Sequence, residues 1–231
     1  GITGKKLIWI QKEKVKDFWI KGDTAAEYIG RVIEYIAVKE VSDIMDYNDV
    51  NKYVEKVIES NSFLVDNIIP DFITASDLKY LLTCLVREKV SVKNIVYIFE
   101  KINDYANEPT KEDLLDKVRL ALSRHIVKDL AKGGELKVIE FSDEILDRVY
   151  SFFKEDEEEA IIRIDSCEVQ DIASKLMKIA KAKKITSPVI AVPMGIRHMV
   201  FVILSEFVQD LTVLAHEELV SDYNIKFIGK I

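Results

Sequence analysis

At Gly133-Gly134-Glu135 the spacing of apolar residues changes, and with it the kind of structure the chain can build. Before the two glycines, apolar residues recur at the i, i+3, i+4 spacing of amphipathic helices. After them, short apolar runs alternate with helical patterns, which is the signature of a layered α/β arrangement. One block of the chain should therefore be all-helical and the next a sheet covered by helices.

The helical block is densest over Leu81–Ile126. Leu78, Leu81, Leu82, Leu85 and Val86 line one face of a first helix. The Ser91 hydroxyl is placed to cap a second, running to about Asp104. Pro109 and Thr110 close the gap, and Thr110 with Asp113 nearly matches a capping box. The third helix carries Leu114, Leu115, Val118, Leu122 and Ile126 on one side.

Upstream, Lys5–Ile10 reads as a short strand and Gln11–Trp19 as a short helix. This pair is too small for a core of its own and suits the tail of a domain whose earlier part is missing. Thr24 and Glu27 form a capping box for a long helix to about Met45, with Ile29, Val32, Ile33, Ile36, Ala37 and Val41 as its apolar side. Asn48 or Asp49 restarts a helix bearing Val50, Tyr53, Val54, Val57 and Ile58. Leu64–Ile69 is a short amphipathic piece stopped by Pro70.

Downstream, strands are predicted at Leu136–Phe141, Ala160–Ile164, Pro188–Val192, Leu211–Leu214 and Ile225–Ile228. Helices are predicted from Ser142 to Phe153, from Ser166 to Ala182, and from Gly195 to Phe207. The acidic run at 154–159 reads as a solvated connector, and the lysines of 178–184 mark a helix C-terminus.

Composition removes several classes of function. With 48% hydrophobic and 32% charged residues and only 4 prolines, the chain suits a folded protein. A net charge of −7 argues against phosphate-backbone binding. No apolar run approaches the roughly 18 residues a membrane helix needs. There is no signal peptide, and a first residue of Gly suits an excised fragment. Cys84 and Cys167 both sit in apolar helical contexts and are expected as buried thiols in a reducing compartment. The three histidines, His125, His198 and His216, lack metal-ligand spacing, and no cofactor is implied. There is no Gly-x-Ser-x-Gly elbow and no phosphate-binding loop. Gly195 with Arg197 at a helix start is a weak anion-binding pattern, and Ser123-Arg124-His125 is only a helix surface. No catalytic constellation is found.

The run Val86-Arg87-Glu88-Lys89-Val90-Ser91-Val92-Lys93-Asn94, a second helix, then Val118-Arg119-Leu120-Ala121-Leu122-Ser123-Arg124, resembles the cytoplasmic domain of the type III secretion export gate. That family has a flagellar and a virulence-injectisome branch. The Gly-Gly-Glu-Leu junction, the Pro188-Val189 strand, Ile196-Arg197, the Val213-Leu214 strand and the terminal Ile228–Ile231 resemble the injectisome branch.

The resemblance implies an α+β, multi-subdomain fold. An incomplete N-terminal α/β piece (1–22) would precede a helix of the first subdomain (23–46). A central all-helical, winged-helix-like subdomain (47–131) and a C-terminal layered α/β subdomain (132–231) would follow. It also implies a non-enzymatic homo-oligomeric ring, nonameric in the family, at the cytoplasmic face of the bacterial inner membrane. Such a ring receives chaperone–substrate complexes and meets other export-apparatus proteins. Membrane attachment would come only through a missing N-terminal region.

The resemblance implies a structural or ring-contact role for Arg87, Asn94 and Arg119, with Arg124 as a further ring-contact candidate, although the arginines also have Glu88 and Asp113 in reach as internal partners. Glu27, Gly30 and Arg31 are the implied chaperone-groove residues. Gly30 and Arg31 stand where many flagellar members carry Thr and His. The rival reading is a soluble winged-helix regulator that binds nucleic acid. Against it, Lys93 and Lys101 of the would-be reading helix are offset by Glu100 and Asp104, and only Asn94 suits a base edge.

Overall fold

A computed structural model describes residues 8–10, 22–131, 133–151 and 166–231. Residues 8–10 belong to no helix or strand, and the Trp9 ring meets Tyr28 edge-on at 5.8 Å. The rest of the predicted first strand, the helix at 11–19, the acidic connector and the strand at 160–164 lie outside the described residues.

Local chemistry sets the helical block. Helix α1 (Ala25–Lys39) opens on the Thr24/Glu27 box, with each partner's side chain bonded to the other's backbone amide. It stops short of the predicted Met45. The chain turns at Glu40 into a four-residue helix α2 (Val41–Ile44), and that bend lets Val41 and Met45 reach the core. Helix α3 (Tyr47–Asn61) starts earlier than predicted, because Asp46 caps it in a second reciprocal box with Asp49. The short α4 (Phe63–Asp66) buries Leu64 and Val65.

Helix α5 (Ala75–Arg87) is capped by Thr74 with Asp77 and buries Leu78, Leu81, Leu82 and Leu85. Each such leucine contributes about 1.5–3 kcal/mol on leaving water. Its end explains why Ser91 does not cap the next helix. Lys89 takes a left-handed φ of 60°, Val90 N–H bonds Leu85 C=O at 2.8 Å, and Lys89 N–H bonds Val86 C=O at 2.9 Å. This paired closure ends the helix and sends the chain into an extended link. Helix α6 (Ile95–Tyr105) therefore begins only after Asn94, which makes no side-chain cap bond. Helix α7 (Lys111–Leu130) opens on Thr110 as predicted and buries Leu114, Leu115, Val118, Leu122 and Ile126.

Gly133 and Gly134, at φ of 65° and 82°, turn the chain into the sheet, where a residue with a Cβ would be strained. Strands β1 (Glu135–Glu140), β2 (Val189–Val192), β3 (Thr212–Ala215) and β4 (Asn224–Lys230) form one parallel sheet in the order β3-β2-β1-β4. Between β1 and β2 lie α8 (Asp143–Ser151) and α9 (Ser166–Ala182), and α10 (Met194–Ser205) joins β2 to β3. A three-residue turn of 3-10 helix (His216–Glu218) follows β3.

Strand alternation divides the sheet's side chains between two cores. Ile139, Ile190, Val192 and Val213 pack with α8, α9 and α10. Leu136, Val138, Val189, Ala191 and Leu214 face the other way and join the core of the helical block. A sheet buried on both faces reads as near-continuous apolar runs, as Val189–Val192 does. The β1–β4 register shifts after Val138, and α9 closes over the bulge at Gly229, where an added Cβ would lie 2.9 Å from Ile179 Cγ2.

Candidate functional site

Helix α1 has the residues of an amphipathic helix but buries none of them. Ile29, Ile33 and Ile36 are 54, 61 and 36% exposed. The apolar side predicted from sequence is thus an outward stripe, and only Val32 of that set turns inward on the helix. The inward side instead carries Tyr28, Val32, Tyr35 and Val38, which border a groove of about 950 Å³. The link 86–93 and the segment from Phe201 to Leu211 form the other walls. Ion pairs tie those walls together. Glu206 receives Lys39 at 3.1 Å and Arg87 at 3.4 Å, and Lys89 meets Asp210 at 2.5 Å.

The groove residues implied by the resemblance all lie on α1. Arg31 borders the groove and pairs with Asp23. Glu27 is exposed but its carboxylate is committed to Thr24, whose backbone and hydroxyl bonds hold it below the usual carboxylate range. Gly30 has open space where a Cβ would stand.

The four residues for which the resemblance implies ring contacts separate. Asn94 is exposed beside a smaller pocket of about 260 Å³ that also holds His125. Arg124 is 77% exposed and reaches Asp222 at 3.4 Å. The Arg87 side chain is 30% exposed above Glu206. Arg119 is not on the surface at all. Only 1% exposed, it lies 2.9 Å from Glu88 and 3.1 Å from Glu218, so its guanidinium is spent on internal ion pairs, the structural alternative to a ring contact. Its partner is the Glu88 that the sequence offered. Asp113 serves the Thr110 cap instead.

Arg119 belongs to a buried cluster where the helical block meets α10. Glu88, at the end of α5, receives both Arg119 and Arg197 on one oxygen and His198 Nδ1 on the other at 3.0 Å. Arg197 Nε donates to Asp116 of α7 at 2.9 Å. Glu218 bonds Ala215 N–H and faces Arg119. The Arg119 Nε and Nη1 contacts are close ion pairs out of line for hydrogen bonds, and Arg197 Nη2 has no hydrogen-bond partner among the described residues.

Burial pushes the Glu88 carboxyl up, but Arg119, Arg197 and His198 outweigh it and pull it down to about 2. Asp116 goes the other way, because burial outweighs Arg197 and raises it. Glu88, Asp116, Arg197, His198 and Glu218 were not assigned by sequence reasoning as a set. They come from four separate stretches of the chain; the sequence offered Glu88 only as a partner for the arginines and Arg197, after Gly195, as a weak anion-binding pattern. That pattern pointed to an anion site, whereas Arg197 is consumed by carboxylates.

Cys84 is buried, and burial raises its thiol to about 11. Cys167 is exposed, contrary to the expectation of two buried thiols, because it lies at the start of α9 ahead of the buried Val169. Among the described residues no group of three metal-ligating side chains occurs, and no helix is long and apolar enough to cross a membrane.

The charges of the junction are paired internally, while the isoleucines of α1 are left outside. The sequence profile of the FHIPEP family matches residues 1–224, and the chain belongs to that family. It is 25% identical over 229 residues to the flagellar biosynthesis protein FlhA of Bacillus subtilis (strain 168), covering 96% of this chain and 34% of that protein. The chain thus spans about a third of the length of that curated relative. The solved Shigella flexneri MxiA protein superposes with a TM-score of 0.80 at 21% identity, covering 96% of this chain and 70% of that one. The nonameric EscV cytosolic domain from the type III secretion system gives 0.74 at 19% identity, over 90% and 62%. The fold is that of these domains, and the family is the export-gate component of type III secretion.

Proposed function

We propose that this chain is the cytoplasmic docking and assembly part of a type III export gate and acts without covalent chemistry. Copies form a ring under the inner membrane, anchored through a region outside this sequence, and the ring receives chaperone–substrate complexes and other export-apparatus proteins. The observation that carries this reading is α1, an apolar 15-residue helix with no buried side chain beside an open groove. An isolated helix of that length is marginal in water, so its exposed isoleucines suit a partner surface. The nonameric state of the EscV domain supports the ring. We assign ring contacts to Arg87, Asn94 and Arg124, and chaperone contacts to the α1 face with Arg31. The subdivision at residues 22, 46 and 131 is part of the same proposal.

Negative-stain imaging at high concentration, or on a lipid surface, tests the ring. Rings are expected for the unaltered chain and lost in Arg87→Glu, which reverses a charge at the contact. A chain that stays monomeric under both conditions overturns the interface assignment. Binding of cognate chaperone–substrate complexes, lost in Ile33→Glu, then tests docking separately. Salt-steep binding to DNA would instead revive the nucleic-acid reading.

A further inference from the structure

Two surfaces of the helical block lie at opposite ends of α6 and complement each other. At its start is the pocket of about 260 Å³ beside Asn94 and His125. Val90, Tyr97, Leu122 and Ile126 line it with apolar surface, and Lys89, Lys93 and Lys128 outnumber Asp129 around it. The Glu88 carboxylate also borders the pocket, but it is spent on Arg119 and Arg197. Lys89 is engaged by Asp210, whereas the exposed Lys93 and Lys128 enter no ion pair among the described residues. Small-molecule pockets run to roughly 300–1,000 Å³, so this one suits a single inserted side chain.

At the far end of α6 the chain presents such a side chain. Asn103, in the last turn of the helix, donates to the Leu64 carbonyl at 2.7 Å and accepts from the Asn67 side chain at 2.9 Å. Those bonds fix α4 against the end of α6. Leu64 and Val65 are buried, so the ring of Phe63 beside them stands 66% exposed on an anchored base. Residues 58–73 carry Glu59, Asp66 and Asp71 and no Lys, Arg or His. All three acids are exposed, and none enters an ion pair among the described residues.

The knob is thus aromatic and acidic, and the hole is apolar and basic. The 11 residues of α6 hold them about 16 Å apart, so one copy cannot join its own two surfaces. Unlike patches that meet between copies repeat head to tail and close into a ring when the rotation allows. A patch that pairs with itself stops at a dimer.

We propose that Phe63 of one copy inserts into the pocket beside Asn94 and His125 of the next, with Asp66 and Asp71 facing Lys93 and Lys128. This rests on the ring reading above and names the two surfaces that meet. Asn94 lines the hole and Arg124 adjoins it, while Phe63 supplies the opposite face that those assignments lack.

Sedimentation and negative-stain imaging of the whole chain at high concentration test the pairing. Phe63→Asp removes the knob and leaves the hole, and Asn94→Trp fills the hole and leaves the knob. Each variant alone should lose the rings and sediment as a monomer. Mixed in equal amounts, they should form a species of two chains and nothing larger, because one sound knob meets one sound hole and both remaining faces are blocked. That rescue requires both variants to be folded. Asp66→Lys should weaken association of the otherwise unaltered chain about tenfold, and Lys93→Asp in the same chain should restore it. Rings undiminished in Phe63→Asp overturn this inference and leave the ring reading in place. A mixture that stays monomeric while the unaltered chain forms rings does the same. An unaltered chain that forms no rings overturns both.

Discussion

Helices α1 and α7 reverse each other's rule. Helix α1 is the more apolar of the two, yet it leaves Ile29, Ile33 and Ile36 in solvent and buries nothing. Helix α7 is rich in charge, yet it buries eight side chains, an arginine among them. The difference lies in how many elements converge on each helix. α7 lies between α5, α6, α10 and the 3-10 turn, so even its polar positions are enclosed, and Arg119 is stable there because carboxylates from two of those elements meet it. Among the described residues α1 meets only α2 and α5 to any extent. Burial follows enclosure first and residue type second, and an apolar helix without enclosure is a surface awaiting a partner.

The comparison breaks most severely at Glu88. Glu88→Gln leaves Arg119 and Arg197 without their shared counter-charge, and such losses cost about 3–5 kcal/mol. Urea unfolding should register that loss at neutral pH. Acid should then matter less to the variant. The folded-state Glu88 is near 2 against an ordinary 4.5, so its contribution is complete above about 4.5 and lost as pH falls toward 2. Asp116, shifted upward, has the opposite sign and is present in both proteins. Wild type should therefore lose stability more steeply than Glu88→Gln between those two pH values.

Paired truncations sharpen the contrast between the helices themselves. Leu115 is fully buried on α7, and Leu115→Ala should cost about 2–5 kcal/mol. Ile33→Ala removes a similar side chain from α1 and should change stability by no more than about 0.5 kcal/mol. The second variant should reveal itself only in binding or assembly. A large stability loss for Ile33→Ala would show that the outward stripe is covered within the chain.

Much of this arrangement was legible in the residues. The period change at Gly133-Gly134, the leucine faces of α5 and α7 and the strand at Val189–Val192 are local patterns, and local patterns survive into the fold. The direction α1 faces was not legible, because periodicity marks an apolar side without saying what covers it. Nor was the charged junction, whose members span Glu88 to Glu218 and come together only when α5, α7, α10 and the 3-10 turn are packed. Arg119 shows both limits. Its sequence context resembles a family motif, yet its depth depends on neighbours more than 30 residues away in either direction.

Helix starts give the smallest and most local test of the same contrast between enclosure and sequence signal. Thr74 and Ser91 both precede apolar helical runs and both carry a hydroxyl suited to capping. The Thr74 hydroxyl accepts from the Asp77 amide at 3.1 Å, while Ser91 meets only the Lys93 amide at a marginal 3.4 Å, inside an extended link. What separates them is the left-handed closure at Lys89, which moves the next helix start beyond the reach of Ser91. Thr74→Ala should therefore cost about 1 kcal/mol, and Ser91→Ala should be within about 0.5 kcal/mol of wild type. Equal losses in thermal or urea unfolding would mean that α6 begins at Ser91 in solution and that the link beside the groove is helical.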